Sequence, residues 1–398
     1  MSRSAVIVAA LRLPVGKAHG AYRDVRPDDL LAFVLRRAVE RCHGLDPQVI
    51  DDVIVGCAMP EGEQGLNIAR MGLLLAGLPE RVPGVTVNRF CASGAEAIAI
   101  AAQRIACGEA DVVIAAGVES MSRIPMGGHV PRINPRVFEN ADVAMAYGMG
   151  ITAEQVARDH RVSRADQDAY ALESHRRALT AVASGQFTDE LVPFMYERRA
   201  PDLARGDLTR TRVVVERDEG PRADTTLAAL AKLKPAFADG GSVTAGNSSQ
   251  MSDGAGALVL MSEDAAKRHG LAPLARYRSY AVTGVAPAVM GIGPVTAIPL
   301  ALQRAGLSLN AIDWIELNEA FAAQTLAVMR DLDLDPAQVN PLGGAIALGH
   351  PLGATGVIRA ASLVHGLRRR GRRYGLVTMC VGTGMGAALC LEAVTRDS

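Results

Sequence analysis

Four side chains stand out for the chemistry their surroundings allow: Cys91, Asn318, His350 and Cys380. Cys91 lies in VNRFCASGAEAIAIAAQRI, where a strand-like run ends and Ser93-Gly94 opens a helix that closes at Gly108. A thiol at a helix N-terminus feels the positive end of the backbone dipole, which favours the nucleophilic thiolate. Ala92, Ser93 and Gly94 leave room beside it for a substrate; the alternative is a buried apolar cysteine. The strand YGLVTMCV delivers Cys380 to a glycine turn, where backbone N–H groups can approach a ligand oxygen. Asn318, in IELNEAFAAQ, marks the end of an apolar strand and the start of a helix. His350 is the one ionisable group in GGAIALGHPLGATG (343–356), beside five glycines. A lone histidine among apolar residues is either a satisfied core residue or a proton carrier.

Two other uses of these residues fail on spacing. GTGMGA matches the loose dinucleotide pattern GxGxxA, but strand-like ALCLEA follows it and the chain ends twelve residues past Gly386, so no βαβ unit can follow. The cysteines and the histidine lie far apart with no paired ligand spacing, so no metal site is expected.

The elements that must position these groups come in duplicate. Gly44-Leu45 and Ile50-Asp51 lead into VIVGCAMP; Gly306-Leu307 and Ile312-Asp313 lead into WIELNEAF. Val87-Asn88 and Val339-Asn340 each open a glycine-bearing turn, an alanine-rich helix and a β-branched strand. GAGALVLMSE (254–263) echoes GMGAALCLEA (384–393). The first two echoes are offset by 262 and 252 residues and the third by 130, so about 120 residues interrupt the first copy between Gly117 and Ala255. The pattern predicts an α/β fold of two duplicated βα halves, with mixed sheets sandwiched by helices. The four candidate residues then fall at the carboxyl ends of strands, where open α/β sheets bind ligands, and the site lies at the junction of the halves. The interruption reads first as loop (ESMSRIPMGGHVPRINPRV), then as helices with capping boxes at Thr152/Gln155 and Ser163/Asp166.

The totals narrow the setting. The chain has 398 residues, 49% hydrophobic, with 42 basic and 42 acidic side chains. That balance offers no general attraction for nucleic acid or an anionic membrane. The apolar run Ala5 to Ala10 is too short for a signal peptide, and no run reaches membrane-spanning length. Six scattered cysteines without a CxxC pair point to a reducing, cytoplasmic setting.

Eight stretches taken in order resemble the thiolase family over essentially the whole chain: NRFCASG, AGVESMS, MGITAE, LAKLKPAF, TAGNSSQMSDGA, NEAF, GGAIALGHPLGATG and CVGTGMG. The resemblance implies that Cys91 becomes acylated, that His350 takes its proton, and that Cys380 moves the proton at the α-carbon. It also implies that His350 and a water held by Asn318 stabilise the enolate, and that the N–H groups of Cys91 and Gly382 stabilise the tetrahedral oxygen. On this reading the glycines around His350 clear a dry pocket shared by imidazole, thiols and thioester. The halves become residues 1–119 with 251–272, and 273–398; residues 120–250 become a loop domain for coenzyme A. Met149, Arg222, Leu233, Phe237, Ala245 and Ser249 are implied CoA contacts, with Ala320 and Phe321 near the pantetheine. Coenzyme A is then a substrate and no cofactor is permanently bound. The implied partners are acyl-CoA, CoA and a second copy of the chain, with pairing of dimers open.

One departure selects within the family. Biosynthetic acetoacetyl-CoA thiolases commonly carry a histidine where this chain has Gly148, and they have a longer loop after the ESMS motif. NSSQMSDGA and GPVTAIPLAL resemble degradative 3-ketoacyl-CoA thiolases, so cleavage of 3-ketoacyl-CoA is the expected activity. The rivals are acetoacetyl-CoA condensation and a non-catalytic acyl-CoA-binding relative. A ketoacyl-carrier-protein synthase would need a second histidine where Asn318 stands.

Overall fold

In the computed structural model, which describes residues 3–139, 148–202 and 205–394, the two repeats become matching arms. The strands are β1 (Ala5–Arg12), β2 (Gly16–Lys17), β3 (Asp52–Gly56), β4 (Gly84–Val87), β5 (Val112–Ser120), β6 (Phe194–Asp202), β7 (Asp207–Val215), β8 (Ser252–Ser262), β9 (Ala275–Gly284), β10 (Trp314–Leu317), β11 (Tyr374–Val381) and β12 (Met385–Ala393). Ten of them pair in the order β10-β11-β12-β9-β1-β8-β5-β3-β4, with β2 on β8.

The order reads alike from either end. In the first arm β3 pairs in parallel with β4 and β5, and β8 is antiparallel to β5 and β1. In the second, β10 is parallel to β11, and β12 is antiparallel to β11 and β9. The expected separate sheets touch through β1 and β9 over two residue pairs, Val6↔Arg276 and Ile7↔Ala275. The counterpart of β4 is reduced to one parallel bridge, Ile315↔Val339.

Burial explains the layers. The helix Leu352–Arg369 is apolar nearly all round and buried along most of its length, as a helix between two sheets must be. Together with the alanine-rich helix Ser93–Ala106 it packs against both arms, joining Ile54, Val113 and Leu258 of one to Val377, Met379 and Leu389 of the other in a single core. The helices Pro27–Arg41 and Ile68–Leu75 cover the outer face of the first arm, and Gly293–Ala305 and Ala322–Asp331 that of the second. The two central helices cross as closely as main chain permits. A Cβ on Gly94 would lie 2.8 Å from the nitrogen of Val357 and 2.9 Å from the oxygen of Gly353, and one on Gly356 would run into Ala95.

The interruption between β5 and β8 carries the helices Met149–Asp159, Arg164–Ala183 and Leu227–Ala231 and the ribbon β6–β7. Ser163 and Asp166 form the expected capping box. Thr152 does not cap: the helix already begins at Met149, and the Thr152 hydroxyl donates to the Met149 carbonyl at 2.7 Å. A buried ion cluster fastens this excursion to the first arm. Arg12 of β1 pairs with Glu190 at 2.6 Å and with Asp218 at 2.7 Å. Removing one partner of such a buried pair typically costs about 3–5 kcal/mol. Among the described residues no helix is long and apolar enough to cross a membrane.

Candidate active site

β4 ends in a strained turn. Phe90 takes φ +43°, which side-chain-bearing residues seldom adopt. Neighbours hold it there: Phe90 N donates to Asn88 Oδ1 at 2.8 Å, and Ser93 Oγ donates to the Phe90 carbonyl at 2.7 Å. Strain of this kind persists where its surroundings over-determine it, commonly at functional sites. The turn presents Cys91, half-buried, to Ala58, Met59, Met121 and Leu352.

The N–H groups of Cys91 and Gly382 draw the Cys91 thiol downward. They do not make it a thiolate. Burial outweighs them and pushes the thiol up to about 11, which corrects the expectation from the helix dipole. Cys91 sits in a 3-10 turn two residues ahead of the helix. Cys380, near the end of β11, is buried with Met149, Val243, Met290, Ala320 and Phe321. Burial first, and then the charge of Cys91, push its thiol well above the ordinary range. The nearest atoms a Cβ on Gly382 would meet belong to the Met149 side chain, at 3.5 Å, and to Phe90, at 3.9 Å.

Asn318, just past β10, places Nδ2 3.3 Å from His350 Nε2. With Nδ2 donating, Nε2 is the acceptor and Nδ1 keeps its proton, donated to Thr355 Oγ1 at 2.7 Å. The His350 N–H reaches Ser252 Oγ at 3.1 Å, so the first arm helps to hold it. Burial, then the charge of Arg359, lowers His350 to about 3. The resting site therefore holds two thiols and a neutral imidazole, and a proton has to move as a thiol attacks.

Two expectations about this region need correction. His350 does not sit at a strand end; it lies between the short helix Ala345–Leu348 and the helix Leu352–Arg369. The five glycines of 343–356 make room for protein rather than for a ligand. A Cβ on them would meet, in order, Ser174 and Ala178, Glu319, Ser252 and Val15, Cys57 and Ala58, and Ala95.

The implied CoA residues fall into two linked groups. Arg222, Leu233 and Ala245 line a cleft of about 160 Å³ with His175, Asp224 and Ile346. Met149, Ala320 and Phe321 share the apolar cluster of Cys380. Phe237 joins the groups, its ring edge-on to Phe321 at 5.9 Å, and Ser249 N donates to the Ala320 carbonyl at 2.9 Å. Leu233 and Phe237 keep 39% and 40% of their surface in solvent, an apolar exposure suited to a ligand.

Sequence reasoning missed three supporting groups. Thr355 orients His350. Glu119, buried, accepts from the N–H groups of Ala58 (2.8 Å) and Gly353 (2.8 Å) and so ties the arms together beside Cys91. Glu319 gathers four donors. A buried acid inside a motif was the available signal for both acids. Among the described residues no group of His, Cys, Asp or Glu is arranged to hold a metal ion.

The neutral histidines carry a pH signature. His350 and His175 stand at about 3 and about 4 in the fold, below the ordinary 6.5, each lowered first by burial. Between those values and 6.5 the unfolded chain binds protons that the folded chain does not, so stability falls as pH falls. Glu316, raised by burial to about 7, acts in the opposite sense between 4.5 and about 7. Urea midpoints are expected to drop more between pH 6.5 and 4 in the parent than in His175→Gln; equal drops would remove His175 from this balance.

Residues 5–264 match the family described as thiolase, N-terminal domain, and residues 271–393 match thiolase, C-terminal domain. The chain is 52% identical to a 3-ketoacyl-CoA thiolase of Bacillus subtilis, covering 98% of this chain and 99% of that one. It is 50% identical to a beta-ketoadipyl-CoA thiolase of Pseudomonas aeruginosa, over 99% of this chain and all of that one. Among solved structures, human mitochondrial 3-ketoacyl-CoA thiolase superposes with a TM-score of 0.88 at 40% identity, covering 99% of each chain. The acetyl-CoA acetyltransferase of Bacillus anthracis gives 0.89 at 43%, again over 99% of each. With both arms matched along their length, the chain belongs to the thiolase family.

Proposed function

We propose that the protein cleaves 3-ketoacyl-CoA with CoA, giving acetyl-CoA and an acyl-CoA two carbons shorter. The observation that carries this reading is the seating of Cys91 against Leu352, two residues past the His350 ring that Asn318 Nδ2 meets at 3.3 Å, with the Cys380 thiol raised by the charge of Cys91. Cys91 adds to the keto carbon as His350 takes its proton, and the N–H groups of Cys91 and Gly382 hold the resulting oxyanion. The C2–C3 bond then breaks; the acetyl-CoA enolate, held by His350 and Asn318, takes a proton from Cys380. The incoming CoA thiol returns a proton to Cys380 and attacks the acyl group, and His350 gives its proton back to the departing Cys91 sulfur.

Met149, Arg222, Leu233, Phe237, Ala245 and Ser249 hold CoA, and Ala320 and Phe321 flank the pantetheine. Residues 120–250 act as the loop domain, between halves formed by 1–119 with 251–272 and by 273–398. A homodimer is the working unit. The edge strand β4 and the helix Ile68–Leu75 leave Val85, Met71, Leu74 and Leu75 exposed on one side, an apolar face suited to a second copy. Six free cysteines suit a reducing compartment such as the cytoplasm.

The Bacillus subtilis and Pseudomonas aeruginosa relatives bear names of 3-keto substrates, which favours cleavage over biosynthetic condensation. Steady-state rates on a ladder of 3-ketoacyl-CoA lengths test the choice. We expect kcat/KM for substrates longer than four carbons to exceed that for acetoacetyl-CoA by about tenfold, on the order of one to two buried methylenes. A preference for acetoacetyl-CoA would favour the condensing reading.

A further inference from the structure

Glu319 lies next to Asn318 and is 1% exposed. Its carboxylate accepts four hydrogen bonds from three separate segments. Oε1 accepts from Tyr170 Oη at 3.0 Å and Asn340 Nδ2 at 2.9 Å; Oε2 accepts from Ser174 Oγ at 2.7 Å and Ile346 N at 3.1 Å. Three of the four partners do a second job. Ser174 Oγ also accepts the Gly344 N–H at 3.1 Å. Asn340 clasps the end of β10, accepting from Leu317 N at 2.9 Å and donating to Leu317 O at 2.7 Å. Ile346 belongs to the short helix that runs into His350. Gly344 is required because a Cβ there would run into the Glu319 carboxyl.

From this arrangement we infer that Glu319 is the positioning residue that sets His350 against Asn318, anchoring the turn 344–350 to the excursion helix Arg164–Ala183. The inference rests on the catalytic roles proposed for His350 and Asn318. Geometry supports it in two ways. Asn318 is fixed by its own chain neighbour, and His350 is fixed through Ile346 and Gly344, so one carboxylate registers both sides of the 3.3 Å contact between them. The same excursion helix also carries His175, whose Nδ1 accepts the Arg222 N–H at 3.2 Å in the cleft proposed for CoA. Tyr170 and Ser174 therefore tie the reacting turn to the element that lines that cleft.

Glu319→Gln keeps the shape but turns one acceptor oxygen into a donor facing donors. We expect kcat for thiolysis to fall about 30-fold, since a small misplacement of a reacting group costs rate rather than binding. KM for CoA should stay within about twofold, and alkylation of Cys91 by iodoacetamide at pH 8 should slow by a factor similar to kcat. A purely structural role would lower the melting temperature while leaving kcat and the alkylation rate in place, and that result overturns the inference. His350→Ala runs alongside. If it lowers kcat while Glu319→Gln stays within about threefold of the parent, the inference alone falls; if His350→Ala leaves kcat unchanged, the proposed mechanism falls with it. Should Glu319→Gln not accumulate folded, Ser174→Ala replaces it, with an expected loss of about fivefold in kcat at constant KM. Parental kcat in Ser174→Ala overturns the inference.

Discussion

Cys91→Ser is expected to lower kcat for thiolysis by about 10⁴-fold or more, with CoA still bound, as losses of a catalytic nucleophile do elsewhere. The size follows from the charge state of the site. His350 is neutral and held to about 3, so it is a weak base at rest. It can accept a proton from a thiol standing at about 11 only as the sulfur bonds to the keto carbon, when the N–H groups of Cys91 and Gly382 take up the charge that develops on the substrate oxygen. A serine hydroxyl is far less acidic than that thiol, and its shorter bond sets the nucleophile back from the keto carbon. Mass spectrometry after mixing with a 3-ketoacyl-CoA should show an acyl adduct on the parent and none on the variant. A variant retaining more than about a tenth of the parental kcat would remove Cys91 from the reaction and favour a non-catalytic acyl-CoA-binding protein.

Cys380→Ser should separate two activities that the parent combines. Transfer of an acyl group from a short acyl-CoA to Cys91 needs no proton at the α-carbon, so its rate should stay within about tenfold of the parent. Carbon–carbon bond formation, and deuterium exchange at the acetyl-CoA methyl in heavy water, should both fall about 10³-fold, in the range set by loss of a positioned acid–base group. A charged Cys91 raises the cost of ionising Cys380, whereas Cys380 does not raise Cys91. Methyl exchange at the parental rate would end the role given to Cys380.

Much of this was legible in the residues. YGLVTMCV maps onto β11 residue for residue because a strand buried on both faces is a continuous apolar run bounded by turn formers. The duplication was readable because both copies keep the same order of turn, small-residue helix and β-branched strand. The ribbon strand β6 was not: FMYERRAPD mixes arginines and a proline, and a two-stranded ribbon in solvent imposes little alternation. The ion cluster of Arg12 joins residues 178 and 206 positions away, a distance at which charge pairs leave no local mark. The protonation state of Cys91 was misjudged for a related reason. A helix dipole is visible in sequence, whereas burial, which decides the outcome, belongs to the fold. Likewise the glycines near His350 advertised close approach without saying to what; Glu319 is one of the answers.

The tight crossing of the helices Ser93–Ala106 and Leu352–Arg369 at Gly94 and Gly356 has a bearing on how this protein can change. Cys91 stands two residues before one helix and His350 two before the other, so their spacing is dictated by covalent backbone dimensions instead of by adjustable rotamers. Lineages can therefore redecorate the rim, and with it the choice of acyl partner, while the reacting pair stays calibrated. A single methyl group added at the crossing would disturb that calibration from within the interior, without altering any atom that a substrate meets.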